Sequence, residues 1–501
     1  MEIFSGLMQG FAVALQPMNL LWCLLGVVLG TVVGVMPGLG PPATIAMLLP
    51  LTFLMNPASA IIMLAGIYYG AKYGGSTTAI LLNVPGESAS VATCLDGYQM
   101  ARKGRAGPAL GIAAVASFIA GTVGVLGLML VAPPLAKMAL AFSSPEYFAL
   151  MSLGLAMVVL LAGRSMVKAL LATLVGLWIA GIGIDPFSTT ARFTFGSREL
   201  LSGLDFVIVA IGVFAVGEVL ANMEGREAAK ALPVPKGLRN LLPTRQDMKD
   251  CRFAFANGSI VGFLIGVLPG AGSTIASFIS YGLEKAVSRR PEEFGKGVPE
   301  GVAAPEGANN AETGGALIPM LTLGIPGSST TAILLAALVL WGFKPGPLFI
   351  PENPAMFWGL VASMYVGNLM LLVLNLPLVP VFAQVLRAPV YILYPVIFGV
   401  SIVGVFATSG SHFDVWLLAG FGLMGYLMRK LDYPAAPLIL GLVLGGALER
   451  ALRQSLMMSD GSISILVSRP VSAVMLSLTL LILLIPLFNK FNHWRLRALE
   501  K

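Results

Sequence analysis

Charge is what this sequence has least of. Only 11% of its 501 residues are Asp, Glu, Lys or Arg, whereas soluble domains carry about 25%. So few charges cannot cover the surface of a soluble chain this long, and a mean hydropathy of +0.87 agrees. Cysteine is also scarce: Cys23 and Cys94 lie in or near apolar stretches and Cys251 in a polar loop. No two have metal-ligand spacing, which leaves zinc, iron–sulfur and haem sites without support and makes a structural disulfide unexpected. The two histidines, His412 in a turn and His493 in a polar tail, have no nucleophile or acid beside them in sequence. A GxxxxGK[ST] loop is missing, which argues against ATP hydrolysis. No catalytic residue and no organic cofactor are expected; whether a metal ion binds is left open. The opening MEIFSGLMQGF lacks the basic region of a signal peptide, so insertion is expected to begin with a first apolar segment that is retained.

Apolar runs long enough to cross roughly 30 Å of hydrocarbon recur from end to end, and 57% of the residues are hydrophobic. The 58 Gly and 33 Pro suit a membrane bundle, where neighbours re-satisfy freed backbone groups. These features predict an all-α polytopic membrane protein with roughly ten to twelve transmembrane segments. Short stretches near 43–55, 76–84 and 314–325 read as half-helices or re-entrant pieces. The clearest polar interruption is 224–252, where Arg226, Lys230, Lys236, Arg239, Arg245, Lys249 and Arg252 outnumber Glu224, Glu227, Asp247 and Asp250. A basic excess in a short loop reads as cytoplasmic. The expected organisation is therefore a first transmembrane half over 1–223, a cytoplasmic loop over 224–252, and a second half over 253–501 ending in a basic tail. The net charge of +7 is spread over short loops and reads as a topology signal, with no nucleic-acid partner expected.

The most informative feature is a repeated phrase. Residues 34–40 read GVMPGLG and residues 266–272 read GVLPGAG. A second pair, GGSTTAILLNVPG at 74–86 and GGALIPMLTLGIPG at 314–327, supports an internal duplication. STTAILL recurs at 76–82 and 329–335, a rival alignment that leaves the inner register open. Two halves with matching broken segments are the sequence signature of a secondary transporter. Pro removes an amide donor and Gly relaxes the backbone, so a helix ends or kinks within the membrane. The amides of the next half-helix then offer partial positive charge to an anion. The first repeat follows a terminus without Lys or Arg and the second follows the basic loop, so we hypothesise that the copies are inverted. Cysteine labelling that placed Glu2 and Arg239 on the same side of the membrane would sink that idea.

The candidate substrate-binding residues surround these breaks: Pro37, Gly38, Gly40, Lys72, Ser76, Thr77, Asn83, Pro85, Gly86, Pro269, Gly270, Gly272, Ser273, Asn309, Asn310, Pro326, Gly327 and Ser328. Singly, each hydroxyl or amide reads as an interhelical hydrogen bond or an N-cap; their concentration around paired breaks marks them. Lys72, directly before the first GG doublet, reads either as a substrate or counter-ion contact or as an interfacial snorkelling residue. Glu306 and Glu312, in PEGANNAETGG, read either as proton or cation coupling groups or as part of a solvated loop. Asp96 is expected at an interface, and Glu218 is the acid placed deepest in an apolar run.

GVMPGLGPPATIAMLLPLTF, YYGAKYGGSTTAILLNVPGE, ATCLDGYQMARKGRAGPALG, GVLPGAGSTIASFISYGLEK and PEGANNAETGGALIPMLTLGIPGS together resemble the large membrane subunit of tripartite tricarboxylate transporters. The resemblance implies a multi-pass protein of the bacterial inner membrane that works with a small integral membrane subunit and a periplasmic solute-binding protein. It further implies symport of di- or tricarboxylates driven by a Na+ or H+ gradient. Two other readings are weighed against it. A receptor-independent anion carrier or channel would not depend on a binding protein. A membrane-embedded lipid-modifying enzyme would need Asp, His or Glu clustered at one membrane face.

Overall fold

The structure, a computed structural model, describes residues 2–36, 40–161, 165–224, 237–385 and 390–499. It is all-α. In chain order the principal helices are α1 (Glu2–Ala14), α2 (Pro17–Val35), α3 (Pro41–Thr52), α4 (Pro57–Leu82), α5 (Val91–Met100), α6 (Ala106–Ala139), α7 (Ser144–Leu161) and α8 (Met166–Ala180). There follow α9 (Phe206–Met223), which contains a π-helical stretch at Ile211–Val216, α10 (Arg252–Val267), α11 (Gly272–Val287), α12 (Glu300–Leu323) and α13 (Ser329–Leu340). The last five are α14 (Pro354–Val385), α15 (Val390–Ser409), α16 (His412–Lys430), α17 (Ala435–Met457) and α18 (Pro470–Leu499). The only strands among the described residues, Gly183–Ile184 and Ala191–Arg192, pair antiparallel as a small hairpin. Proline opens α2, α3 and α4, where its missing N–H has no intrahelical acceptor to lose.

Six helical runs among the described residues are long and apolar enough to cross a membrane, and seven shorter apolar helices accompany them. The chain divides into two compact units: Met1–Lys137 with Val207–Lys430, and Met138–Phe206 with Leu431–Lys501.

In the larger unit, the two most deeply buried helices are not among the six. Every residue of α4 from Ser59 to Leu81 is buried, and so is every residue of α12 from Glu300 to Thr322. The sequence pattern breaks α4 before a short piece at 76–84 and offers a solvated loop as one reading of PEGANNAETGG; both stretches are continuous helix. Hydropathy misleads here because these helices face protein rather than lipid, so polar side chains persist where partners satisfy them.

Glycine makes that burial possible. Gly26, Gly30 and Gly34 of α2 lie against the carbonyls of Met63, Ile67 and Ala71 of α4. Gly258, Gly262 and Gly266 of α10 lie in the same way against Ala304, Ala308 and Glu312 of α12. A Cβ on Gly30 would stand 2.5 Å from the Ile67 oxygen, and one on Gly266 would stand 2.5 Å from the Glu312 oxygen. Small residues at every fourth position let backbones approach this closely.

These contacts fix the register of the two halves. From α2 to α10 the offset is 232 residues (26 to 258, 30 to 262, 34 to 266), and from α4 to α12 it is 241 (63 to 304, 67 to 308, 71 to 312). Gly74 therefore answers to Gly315, and Pro85–Gly86 to Pro326–Gly327. The two STTAILL strings occupy different places: one ends α4, the other opens α13.

The smaller unit pairs α8 with α17 through Gly176 and Gly441, each against the other helix's backbone. Its charges gather at the hairpin, where Arg453 holds Asp185 at 2.9 Å and Arg192 holds Glu449 at 2.7 Å.

Candidate functional site

The Pro-Gly turns position the site. Pro37 and Gly38 lie outside the described residues; Gly40 is the N-cap of α3. Asn83 closes α4 in the left-handed region at φ 58° and is exposed, just before Pro85–Gly86. Gly86 lies against the Gly34 carbonyl at the end of α2. The Pro269–Gly270 and Pro326–Gly327 turns are joined, because the Gly270 N–H donates to the Gly327 carbonyl at 2.8 Å. Gly270 and Gly272 have φ of 84° and 63°, a conformation that only glycine adopts without strain.

The helices that restart after these turns offer different things to an anion. α3 begins Pro41-Pro42, two residues without an N–H. α13 is already capped: Ser328 N–H donates to Thr331 Oγ1 at 2.8 Å, and Thr331 N–H donates to Ser328 Oγ at 3.3 Å, so two of its N-terminal donors are engaged. α11 starts at Gly272 with no side-chain cap and keeps the partial positive charge of an open helix N-terminus.

Lys72 reaches that open end. It is the only buried Lys or Arg among the described residues, at 3% exposure. Its Nζ donates to Ser273 Oγ in the first turn of α11 at 2.5 Å and pairs with Glu87 Oε2 at 3.2 Å. The ammonium also stands 5.4 Å from the centre of the Tyr68 ring, within cation–π range. Asn309 Nδ2 donates to Glu87 Oε1 at 3.0 Å, and Tyr68 OH donates to Glu312 Oε2 at 3.2 Å. The interfacial reading of Lys72 is thereby excluded, and so is the solvated loop for the two glutamates. Glu306 and Glu312 are 0% and 1% exposed.

Ser76 and Asn310 belong to a neighbouring group around Glu306. Ser76 Oγ and Thr93 Oγ1 each donate to a Glu306 carboxyl oxygen at 2.5 Å. Asn310 Nδ2 donates to Ser117 Oγ at 2.7 Å and to the Glu306 carbonyl at 3.0 Å. Thr77 is buried and lines, with Tyr73, Ser76, Ser117 and Asn375, a cavity of about 10 Å³, close to the room one water needs. Three buried side-chain oxygens nearby, Ser90 Oγ, Asn309 Oδ1 and Thr313 Oγ1, have no hydrogen-bond partner.

The structure thus gathers Lys72, Ser273 and Asn309 around Glu87, and Ser76 and Asn310 around Glu306. It leaves Asn83 as a helix terminator and Ser328 as a cap. Glu87, Thr93 and Ser117 were missed from the sequence; only Glu87, directly after the first VPG, carried a signal that pointed to it. Asp96 is fully buried rather than interfacial. It accepts from the N–H groups of Gly295, Gly297 and Val298 and from Tyr281 OH. Glu218 is partly exposed and paired with Arg429 at 2.7 Å. Among the described residues no three His, Cys, Asp or Glu side chains gather as a metal-ligand set.

A family model described as "Tripartite tricarboxylate transporter TctA family" matches residues 20–440. An uncharacterized 52.8 kDa protein of Agrobacterium vitis, from the TAR-I ttuC' 3' region, is 48% identical over 495 residues, covering 99% of this chain and 98% of that protein. A second uncharacterized protein of the same organism, from the TAR-II ttuC' 3' region, is 43% identical over 234 residues, covering 47% of this chain and 97% of its own length.

Proposed function

Because the chain belongs to the TctA family of tripartite tricarboxylate transporters, and is a multi-pass membrane permease of a tripartite anion uptake system rather than an enzyme, we propose that it carries a di- or tricarboxylate whose carboxyl group docks at Lys72 and the open N-terminus of α11. The reading rests on one observation above all: a buried ammonium held against the first turn of a restarting helix that has no side-chain cap. In this reading the substrate carboxylate displaces Glu87 from Lys72, so one anion replaces another at a preformed cation. Ser273 and the amides of Gly272–Thr274 donate to its oxygens, and Tyr68 flanks them.

The binding is of moderate strength by construction. Glu87 competes for the same ammonium, so substrate can leave as readily as it enters. The periplasmic receptor delivers the anion to the outward-facing cavity, and the small membrane subunit completes the permease. Co-transported cations offset the substrate charge. The matched glycine registers of the two helix pairs support a duplicated transporter core, which we take to be inverted and to work by alternating access.

The test is uptake of radiolabelled carboxylates into proteoliposomes holding this chain and its small subunit, with purified receptor outside and an imposed Na+ or H+ gradient. Receptor-dependent accumulation of one compound, with its apparent affinity lowered about fivefold by Ser273→Ala, is the expected outcome. Uptake that ignores the receptor, or that Ser273→Ala leaves unchanged, would overturn the reading.

A further inference from the structure

Three carboxyl groups, Glu87, Glu306 and Glu312, share the interior of the larger unit with the single ammonium of Lys72. The other buried acids of that unit are each provided for. Asp96 is held by three backbone N–H groups, Asp247 by Arg105 at 2.7 Å, Glu284 by the Asn257 amide at 2.8 Å, and Glu300 by Arg290 at 2.8 Å. Lys72 is paired to Glu87. Glu306, 0% exposed, forms no ion pair with any described residue and is met only by the two hydroxyls of Ser76 and Thr93. A buried carboxylate without a cation is costly inside a membrane, so this group is built to lose its charge.

We propose that Glu306 is the proton-carrying group that couples uptake to a pH gradient, with Ser76 as its relay to the small adjoining cavity, whose wall is part polar and part aliphatic. The hydrogen-bond geometry suits both protonation states. Ser76 Oγ lies 2.5 Å from Glu306 Oε2 and 3.2 Å from the Lys72 carbonyl. A hydroxyl has one proton and two lone-pair directions. When Glu306 is ionised, Ser76 donates to its carboxylate. When Glu306 is protonated, its own O–H donates to Ser76 Oγ, and the Ser76 proton turns to the Lys72 carbonyl. No buried group is orphaned in either state. Ser76 also lines the cavity with Thr77, Tyr73, Ser117 and Asn375, where a water can deliver or remove the proton.

Lys72 and Glu87 act directly on Glu306, and the elements packed around it carry these and further titratable groups. From α4 these are Lys72, Tyr68 and Tyr73; from the turn after it, Glu87; from α5, Cys94 and Asp96. α11 brings Tyr281, Glu284 and, in its last turn, Lys285, and α12 itself brings Glu300 and Glu312. Arg252 opens α10 and Glu352 ends the short Phe349–Glu352 helix, whereas α13 brings none. Glu312 is the rival carrier. It accepts from the Tyr68 phenol, which also stands beside Ser328, but neither Glu312 nor Tyr68 lines the cavity that Ser76 borders. Glu306 is therefore preferred.

The inference rests on the carboxylate-uptake reading, and its test separates the two. In proteoliposomes, wild-type protein is assayed for exchange of internal and external labelled carboxylate at equal pH, and for accumulation under an imposed pH gradient. One pH unit supports about tenfold accumulation per proton carried. Glu306→Gln keeps the volume and mimics the protonated acid, with its oxygen accepting from one hydroxyl and its NH2 donating to the other. It is expected to retain exchange, to lose its pH dependence, and to accumulate nothing above equilibration. Ser76→Ala is expected to slow gradient-driven uptake more than exchange. If wild-type protein shows neither exchange nor uptake, the carboxylate reading fails. If exchange occurs and Glu306→Gln still concentrates substrate with the pH gradient, or if Glu312→Gln alone uncouples, or if only Na+ drives wild-type uptake, the Glu306 proposal is overturned. Glu306→Asp, which restores a titratable group, recovers part of the coupling if the proton rather than packing is at issue.

Discussion

The helix pairs α2/α4 and α10/α12 share a backbone arrangement and differ in what they carry on it. The glycines match position for position, yet Lys72 of α4 answers to Thr313 of α12, Ala71 to Glu312 and Tyr68 to Asn309. α4 supplies the buried cation, and α12 supplies two buried carboxyls, Glu306 and Glu312. Close packing was thus kept on both sides, while the chemistry was divided between them. In the proposed reading, a duplicated scaffold would bring charges that are distant in the chain together at an anion site. Ser273 shows the same division: it belongs to the second half and is gripped by the lysine of the first.

The sharpest way to break this comparison is to exchange equivalent positions. Lys72→Ala leaves Glu87 buried without its partner. It is expected to abolish carboxylate uptake and to cost about 3–5 kcal/mol of stability. Thr313→Ala, at the matching site, removes a hydroxyl with no partner and is expected to lower stability by less than about 1 kcal/mol. Equal losses at the two positions, in uptake or in thermal unfolding of purified protein, would mean that the halves are chemically equivalent after all.

The glycines should behave in the opposite, symmetric way. Gly34→Ala would drive a methyl group into the Ala71 carbonyl and Gly266→Ala would drive one into that of Glu312. Each is expected to lower stability by about 3 kcal/mol, with the two unfolding temperatures falling together. A large shift for one and none for the other would show that the shared register is not a shared support.

The smallest effect is a control from the other unit. Asp185, in the hairpin region after α8, has its carboxyl held down to about 2 by the Phe187 N–H, with Ser188 and Arg453 adding to the effect against the opposing influence of burial. A depressed acid contributes stability above its unfolded value and loses it as pH falls through the folded one. The Arg453–Asp185 pair should therefore persist from pH 7 to pH 4 and fail only toward pH 2. pH-dependent uptake between pH 5 and pH 7 should be unchanged by Asp185→Asn, and a change there would place a titrating group outside the duplicated core.

Much of this architecture was legible in the sequence. The Pro-Gly pairs, offset by 232 residues in one case and 241 in the other, marked turns between helices, and the polar residues around them included Lys72, Ser273 and Asn309. What stayed hidden has a common physical cause. Hydropathy scores how well a segment suits lipid, and α4 and α12 do not face lipid. The same cause concealed the burial of Glu306 and Glu312. The inner register was hidden for another reason. The sequence shows the two GG doublets one residue out of step but leaves STTAILL as a rival alignment, and the opposed carbonyls of α2 and α10 match Gly74 to Gly315. Glu87 was overlooked because nothing in its own neighbourhood is basic; its lysine lies a full helix segment earlier.

The burial of α12 also bears on how the protein is made. A helix carrying Glu300, Glu306 and Glu312 partitions poorly from the translocon into a bilayer by itself. Its entry therefore depends on a chaperone already in place, and α10, completed earlier in synthesis with its Gly258–Gly266 face exposed, fits that role. The glycine face that later supports transport would then serve first as the landing strip for a segment the membrane would otherwise refuse.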